Sequence, residues 1–187
     1  MKKTILLPLL FMGVFIAACS QQQARKPVSR SSGTFMKESI ERNKALIANE
    51  ESVIDSIIKK DSLKQYHAAD KGYWYRYETE ITTDTISPER GDFAYYEYDI
   101  KDIKGNLLYS KEELKPQVYR VDKQDIMAGI RYGIKLMNKG ETVTFLFPSN
   151  LGYGYRGDLK KIGPNQPLIC TVTLNDIKKG EPEENDN

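Results

Sequence analysis

Residues 126–141 read IMAGIRYGIKLMNKGE, and the spacing of their apolar side chains predicts the central element of the fold. Four large apolar residues recur every three or four positions along it: Ile126, Ile130, Ile134 and Met137. This period predicts an α-helix with one apolar face over residues 123–137. Gly129 and Gly133 lie on a neighbouring stripe of that helix, where the lack of a side chain allows close approach of another element. Gly140 is placed to end the helix as a glycine cap.

The segments on either side of this helix predict the strands of one sheet. Side chains alternate with a period of two in residues 73–78 and 92–102, which is typical of strands. Four further segments also predict strands: residues 107–109, 118–121, 141–147 and 168–177. Residues 148–167 form a long loop rich in glycine and tyrosine. We therefore predict an α+β domain in which an antiparallel sheet wraps around one central helix, preceded by an N-terminal amphipathic helix.

The first 18 residues have the layout of a secretory signal peptide. Two lysines precede an apolar run at residues 5–16. That run is too short for a bilayer, which takes about 20 apolar residues, and Pro8 interrupts it. Residues 16–19, Ile-Ala-Ala-Cys, resemble the bacterial lipobox, in which the cysteine thiol accepts a diacylglycerol before cleavage. The resemblance implies that acylated Cys19 holds the mature protein at a membrane. Ordinary cleavage of a secreted protein is the alternative.

The rest of the chain divides by composition into four segments. They are lipidated Cys19 with a flexible tether (19–33), a helical segment (34–70), the sheet domain (71–179) and a disordered acidic tail (180–187).

The helical segment carries one apolar stripe within residues 34–65. Its members are Ile40, Leu46, Ile47, Val53, Ile54, Ile57 and Ile58. Asn43 and Glu50 stand where a coiled coil requires a second apolar seam. We therefore expect this helix to dock on the domain, with homodimerisation through the helix as the alternative.

Composition and charge exclude several classes of function. The 28 basic and 26 acidic residues are interspersed and sum to +2, so no basic surface for nucleic acid is expected. His67 is the only histidine, which leaves no Ser-His-Asp triad, no Cys-His pair and no predicted metal site. Residues 152–157, GYGYRG, lack the Gly-Lys-Ser/Thr of a phosphate-binding loop. We predict no cofactor, and we expect Cys170 to be a buried structural thiol.

Four motifs that match one family in order and spacing occur between residues 86 and 178. They are residues 96–99 (YEYD) with the turn glycine Gly105, residues 126–141, residues 147–154 (FPSNLGYG) and residues 162–169 (IGPNQPLI). Together they resemble the FKBP-type peptidyl-prolyl cis-trans isomerases. With the lipobox and the N-terminal helix added, the chain resembles the lipid-anchored FKBP-type proteins associated with gliding motility in bacteria.

The resemblance implies a pocket between the central helix and the sheet. Eight residues would line it: Tyr98, Leu108, Tyr109, Ile126, Met127, Ile130, Tyr153 and Ile162. Tyr98 would form one wall of the pocket. Ile126 and Met127 would lie at the entrance of the helix, with the Met127 N–H facing the carbonyl of the substrate. Tyr153 would donate its hydroxyl, and Ile162 would cap the pocket.

Five positions depart from the pattern of that family. Leu108 stands at a wall position that is usually aromatic, and Ile130 stands at the floor, where the family commonly has Trp. Tyr109 replaces the Asp that normally follows the wall aromatic. A further pocket aromatic falls near Gln117, and Cys170 replaces the inward aromatic of the last strand. These departures imply a site with weak activity.

Two functions follow as alternatives. The first is a peptidyl-prolyl cis-trans isomerase that rotates X-Pro bonds of exported envelope polypeptides in an apolar pocket, a reaction that requires neither a nucleophile nor a metal. The second is a non-catalytic binding or assembly module of an envelope or gliding machine. Residues 20–22 lack the Asp that retains many lipoproteins on the inner membrane and the acidic cluster that exports some to the surface. We therefore expect an anchor on the periplasmic face of the outer membrane.

Overall fold

The computed structural model of the chain describes residues 33–83 and 85–180. The predicted signal peptide, Cys19, residues 20–32 of the tether and residues 181–187 of the tail lie outside the described residues, so the expectations for them stay predictions. Within the described ranges, no helix has both the length and the apolar character to cross a membrane.

Three α-helices and seven strands make up the described part of the chain. The helices are α1 (Gly33–Lys60), α2 (Lys111–Leu114) and α3 (Ala128–Ile134). The strands are β1 (His67–Ala69), β2 (Tyr73–Thr79), β3 (Phe93–Asp102), β4 (Leu107–Tyr109), β5 (Gln117–Arg120), β6 (Thr142–Phe147) and β7 (Leu168–Lys178). Two short 3-10 turns, Ser149–Leu151 and Gly154–Arg156, lie between β6 and β7.

The strands form one antiparallel sheet. Their order is β1-β2-β6-β7-β3-β4, and β5 pairs with the first half of β3. The register places Tyr98 opposite Val172 and Phe145 opposite Cys170. Gly105 turns the β3–β4 hairpin at a φ of 91°, a conformation that glycine adopts readily. The predicted antiparallel α+β fold is confirmed, although β1 and α2 were not expected from the sequence pattern.

The central helix α3 packs on the sheet through its two glycines. A Cβ atom at Gly129 would lie 2.7 Å from a ring carbon of Phe147, and one at Gly133 would lie 2.7 Å from the ring of Phe145. The two phenylalanine rings are themselves stacked, with 5.3 Å between their centroids. Only glycine leaves room for them, so the glycine stripe marks where the helix meets the sheet.

The prediction of a central helix over residues 123–137 is wrong at both ends. Asp122 has a φ of 55°, and its N–H donates to the hydroxyl of Tyr119 at 2.8 Å, which holds the segment before Ala128 in a turn. After Ile134 the backbone forms two hydrogen bonds between residues three apart, as in a 3-10 turn. The Leu136 N–H donates to the Gly133 carbonyl, and the Met137 N–H donates to the Ile134 carbonyl. Tertiary contacts therefore limit the helix to seven residues, while the apolar period continues through the flanking turns.

Helix α1 contacts the domain through a narrower stripe than its sequence predicts. Ile54 is fully buried, but Ile40 and Val53 are exposed. Glu50, which stands where a coiled coil would need an apolar residue, is itself buried and accepts hydrogen bonds from Ser149. These contacts agree with docking on the domain, and homodimerisation through the helix stays a prediction.

Leu146 indicates which face of the sheet α1 covers. Its side chain alternates along β6 with those of Phe145 and Phe147, so it points away from α3. It is nevertheless almost fully buried. Asp61, which follows the last residue of α1, lies 3.9 Å from the Arg76 guanidinium on β2. The helix therefore lies on the opposite face of the sheet from α3, and residues 61–65 form a turn rather than the last part of the predicted helix.

Candidate active site

The eight residues predicted for the pocket all belong to one apolar cluster on the α3 side of the sheet. Ile130 and Ile162 are buried, with 1% and 3% of their surface exposed. The other six are half-buried: Tyr98, Leu108, Tyr109, Ile126, Met127 and Tyr153. Two of the eight side chains are thus buried in the core, and the other six keep part of their surface exposed to solvent.

Three neighbouring tyrosines on the β3 and Tyr153-loop side of this cluster have hydroxyl groups without a partner among the described residues. The hydroxyls of Tyr96, Tyr98 and Tyr153 make no hydrogen bond to any residue within 33–83 and 85–180. The rings of Tyr96 and Tyr98 lie together, with centroids 5.6 Å apart. In contrast, the Tyr109 hydroxyl donates to Asp158, and the Tyr119 hydroxyl accepts the Asp122 N–H. Unpaired donors beside an apolar surface are available to a ligand.

These three hydroxyls stay protonated at neutral pH. Burial raises the pKa of Tyr96 to about 12, and the nearby Tyr119 and Tyr153 add to the rise. Burial also raises the pKa of Tyr98, with Tyr153 as its strongest neighbour. The pKa of Tyr153 is raised by burial and then by Cys170 and Asp158. The mutual effects place the groups near one another, and each can donate a hydrogen bond.

Met127 presents a fourth unpaired donor. It is the residue before α3, and its own carbonyl accepts the Arg131 N–H at 3.0 Å. Its N–H makes no hydrogen bond within the described part of the chain. The N–H groups at the start of a helix have no partner within the helix, so this donor is a consequence of where α3 begins.

Asp158 organises the loop between Tyr153 and Ile162. One carboxylate oxygen accepts hydrogen bonds from the Lys160, Lys161 and Ile162 N–H groups, at 2.8–3.0 Å. The other accepts the hydroxyl of Tyr109 from β4. Tyr109, which stands where the resembled family has an aspartate, is therefore bonded to a carboxylate supplied by the loop. The bond fixes the loop to the edge of the sheet.

Lys161 adds a second link between the loop and the sheet edge. Its ammonium lies 2.6 Å from the Glu113 carboxylate on α2 and 4.6 Å from the centroid of the Tyr109 ring. These charged groups are partly exposed, so each contributes little on its own. Together with the Tyr109–Asp158 bond they hold the loop over the apolar cluster.

The loop should respond to acid. Partial burial favours a higher pKa for Asp158, but the hydrogen bonds from Tyr109 and the loop amides outweigh it and lower the pKa below its usual value. A carboxyl group with a lowered pKa stabilises the fold above its unfolded pKa, near 3.9, and the contribution is lost as pH falls through the folded value. We expect Asp158→Asn to be less stable than the parent from about pH 5 to 9, with the difference shrinking below about pH 4. Denaturant titrations at each pH measure it.

Asp125→Asn is the matched control for that prediction, because the side chain of Asp125 is 98% exposed. Its stability difference from the parent should be small at every pH. A difference for Asp158→Asn as large at pH 3 as at pH 6 would contradict the role given to this carboxylate.

At the alkaline end, the bond to Asp158 raises the pKa of Tyr109 to about 12. The contribution of Tyr109 is therefore full below about pH 10 and is lost as pH rises through the folded value.

Sequence reasoning missed Tyr96, Leu114 and Asp158. Tyr96 shares the inward face of β3 with Tyr98, a signal that strand alternation could have given. Leu114 of α2 packs against the cluster, three residues before Gln117, near which the family pattern places a further aromatic residue. Gln117 itself turns back to the carbonyl of Leu114 at 2.6 Å.

Cys170 is fully buried, and burial raises the pKa of its thiol, as predicted for a structural cysteine. Over the described ranges, no group of three or more His, Cys, Asp or Glu side chains is arranged to hold a metal ion. The side chains gathered at the site offer apolar contact and hydrogen-bond donation.

Comparison with known proteins identifies the domain that contains this site. The family model described as FKBP-type peptidyl-prolyl cis-trans isomerase matches residues 84–175. "Probable FKBP-type peptidyl-prolyl cis-trans isomerase FkpA" of Neisseria meningitidis is 34% identical over 97 residues, which are 51% of this chain and 34% of that protein. "Outer membrane protein MIP" of Legionella longbeachae is 32% identical over 93 residues, 49% of this chain and 39% of that protein. The chain thus spans little more than a third of either relative.

Solved structures share the fold at lower identity. A peptidyl-prolyl cis-trans isomerase from Pseudomonas syringae has a TM-score of 0.59 and 20% identity, covering 73% of this chain and 96% of that one. FkpA from Escherichia coli has a TM-score of 0.58 and 22% identity, covering 94% of this chain and 83% of that one. Residues 84–175 thus match the FKBP-type peptidyl-prolyl cis-trans isomerase family in sequence, and the solved structures share the fold.

Proposed function

We propose that this protein is a peptidyl-prolyl cis-trans isomerase that rotates X-Pro bonds of polypeptides in the bacterial envelope. One observation carries the proposal: the hydroxyls of Tyr96, Tyr98 and Tyr153 and the Met127 N–H have no partner within residues 33–83 and 85–180, and all four residues belong to the same apolar cluster. The match of residues 84–175 to the family model supports it. Because the chain covers only part of its named relatives, the activity is proposed here on the site itself.

The reaction requires only the rotation of one bond. Resonance in the peptide C–N bond creates a barrier of about 18–20 kcal/mol, and the planar form that carries the resonance is polar. An apolar site withdraws water from the carbonyl and so disfavours that planar form. In our proposal the proline ring rests against Ile130 and Ile162, while Tyr153 and the Met127 N–H hold the carbonyl in its twisted orientation.

Modest stabilisation of the twisted state has a measurable effect. Uncatalysed isomerisation takes about 10–100 s. Each 1.4 kcal/mol by which the site favours the twisted amide over the planar isomers raises the rate about tenfold. Two hydrogen bonds from neutral donors, each contributing about 1 kcal/mol, are therefore enough to be detected.

A protease-coupled assay with short proline peptides tests the proposal. The protease cleaves only the trans isomer, so the slow phase reports isomerisation. We expect the rate constant of that phase to rise in proportion to protein concentration, compared with peptide and protease alone. A slow phase that stays at the uncatalysed rate even at high protein concentration would overturn the proposal.

A non-catalytic binding module is the second candidate, and a specific feature favours it. The Tyr109 hydroxyl is committed to Asp158, which ties the rim of the site to the loop. Ile130 also offers a smaller floor than the Trp that the resembled family commonly has. A binding module would take up proline peptides, with saturable changes in the fluorescence or NMR signals of the site, and leave their isomerisation rate unchanged.

The same proposal includes a lipid anchor. We propose that acylated Cys19 holds the protein at the periplasmic face of the outer membrane, because residues 16–19 resemble a lipobox and residues 20–22 lack the Asp that retains many lipoproteins on the inner membrane. Its substrates would then be proline-containing exported polypeptides. Incorporation of radiolabelled palmitate by the parent protein and its loss in Cys19→Ser would support the anchor, and equal labelling of both would remove it.

A further inference from the structure

Glu50 on α1 is a buried carboxylate with both oxygens occupied. One oxygen accepts the backbone N–H of Ser149 at 2.7 Å, and the other accepts the Ser149 hydroxyl at 2.7 Å. Glu50 is 4% exposed and Ser149 is 2% exposed. Burying a carboxylate is costly unless hydrogen bonds replace its hydration, so these two bonds require α1 and Ser149 to keep one relative position.

Ser149 begins the segment of chain that carries Tyr153. It is the first residue of the 3-10 turn Ser149–Leu151, directly after β6 and Pro148. The turn is closed by bonds from Leu151 to Pro148 and from Gly152 to Ser149, each at 3.0 Å. Leu151 is buried in the apolar cluster of the site. Four residues of tightly held backbone therefore connect the carboxylate of Glu50 to Tyr153.

The far end of α1 is fixed separately. Ile54, one turn after Glu50, is fully buried. Asp61 lies 3.9 Å from the Arg76 guanidinium on β2, and its carboxylate accepts a hydrogen bond from the Tyr66 hydroxyl at 3.1 Å. The helix therefore cannot slide along the sheet without breaking the Glu50–Ser149 bonds. α1 also lies outside residues 84–175, so the matched family domain does not itself contain the acceptor for Ser149.

We propose that Glu50 is a positioning residue for the Tyr153 loop, and that docking of α1 sets both substrate affinity and turnover at the site. The turnover part rests on the proposed isomerase activity, whereas the affinity part does not. With α1 docked, the Ser149 turn holds the loop in place from the opposite face of the sheet. With the Glu50–Ser149 bonds broken, the Ser149 donors lose their acceptor and the loop gains freedom at its first residue.

The test compares three variants in the full chain. Glu50→Ala removes both acceptors, Glu50→Gln keeps one acceptor in the same shape, and Asp55→Ala removes a negative charge from an exposed position on the same helix. Circular dichroism and denaturant titration establish that each variant is folded under assay conditions. The measurements are kcat/KM with proline peptides, the Kd of a proline peptide, and amide hydrogen exchange over residues 150–157.

We expect Glu50→Ala to lower kcat/KM about threefold to tenfold and to speed exchange in the loop. Glu50→Gln should recover part of the loss, and Asp55→Ala should match the parent. The double variant Glu50→Ala with Tyr153→Phe should lose less kcat/KM than the product of the two single losses, because both substitutions act through the Tyr153 hydroxyl. A purely structural role would lower stability while leaving kcat/KM per folded molecule unchanged.

The outcomes separate this proposal from the isomerase assignment. If the parent protein shows no isomerase activity, the proposed function fails, and the loop exchange rates and peptide Kd still decide the role of Glu50. Suppose that Glu50→Ala is folded and that the parent is active. If kcat/KM, the peptide Kd and the loop exchange rates of the variant all stay within twofold of the parent values, the positioning role is overturned. If Glu50→Ala does not fold, the same comparison is made with Glu50→Gln and Ser149→Ala.

Discussion

Gly133→Ala should lower the free energy of unfolding by about 1–3 kcal/mol, because overpacking a filled core forces its neighbours out of place. The new Cβ atom would lie 2.7 Å from one carbon of the Phe145 ring and 2.9 Å from the next. Phe145 cannot turn aside easily, since it is fully buried and stacked on Phe147 at 5.3 Å. Urea denaturation of the variant and the parent measures the difference.

A second substitution provides the control for this prediction. Phe145→Leu removes ring atoms near the new methyl group, so Gly133→Ala combined with Phe145→Leu should be less destabilised than the sum of the two single variants. Additive effects of the two substitutions, or a Gly133→Ala variant as stable as the parent, would show that α3 does not lie as close to β6 as described.

Tyr153→Phe should reduce kcat/KM for proline peptides about tenfold, which corresponds to the loss of one hydrogen bond of about 1.4 kcal/mol to the substrate carbonyl. The hydroxyl of Tyr153 has no protein partner within the described residues, so its removal breaks no bond in the free protein. Stability should therefore change little. The peptide assay gives the rate, and thermal unfolding gives the stability.

Tyr155→Phe is the matched control on the same loop. Tyr155 is 70% exposed, and its hydroxyl accepts a bond from the neighbouring Arg156 at 2.8 Å. The same chemical change there should leave kcat/KM unaltered. Equal losses in both variants would point to a general effect on the loop, and no loss in Tyr153→Phe would remove the hydroxyl from the mechanism.

The fold was predictable where its cause is local. Alternation in residues 73–78 and 92–102 predicted β2 and β3. The glycine stripe at Gly129 and Gly133 predicted that another element could approach the helix closely, and the structure shows that this element is β6. The helix bounds were not predictable, because they depend on contacts distant in the chain. The left-handed Asp122 and its bond to Tyr119 delay the start of α3, although the apolar period begins earlier.

Family resemblance predicts residues for the site but not the contacts between them. Family resemblance named Tyr98, Met127 and Tyr153, which the structure brings to one cluster. It did not indicate that Tyr109 would bond Asp158, 49 residues later, because neither side chain belongs to a motif that encodes the other.

Glu50 illustrates the same limit on the other face of the sheet. In the sequence, Glu50 is a charged residue beside an apolar helical stripe, so it was interpreted as an interruption of a coiled-coil seam. Its burial follows from Ser149, 99 residues away. A periodic pattern identifies which residues share a face of a helix, but the partner of a buried charge is supplied by the tertiary fold.

In the proposed reaction, the hydroxyl and N–H donors beside the apolar cluster catalyse rotation of X-Pro bonds. Exchange NMR of a proline tetrapeptide with substoichiometric protein tests this catalysis, because cis and trans signals and the amides of the site are observed in one sample. We predict exchange cross-peaks between the two isomers, together with shifts of the Tyr98, Met127 and Tyr153 amides. Isomers that stay in slow exchange, without cross-peaks at any protein concentration, would show that these donors do not catalyse the rotation.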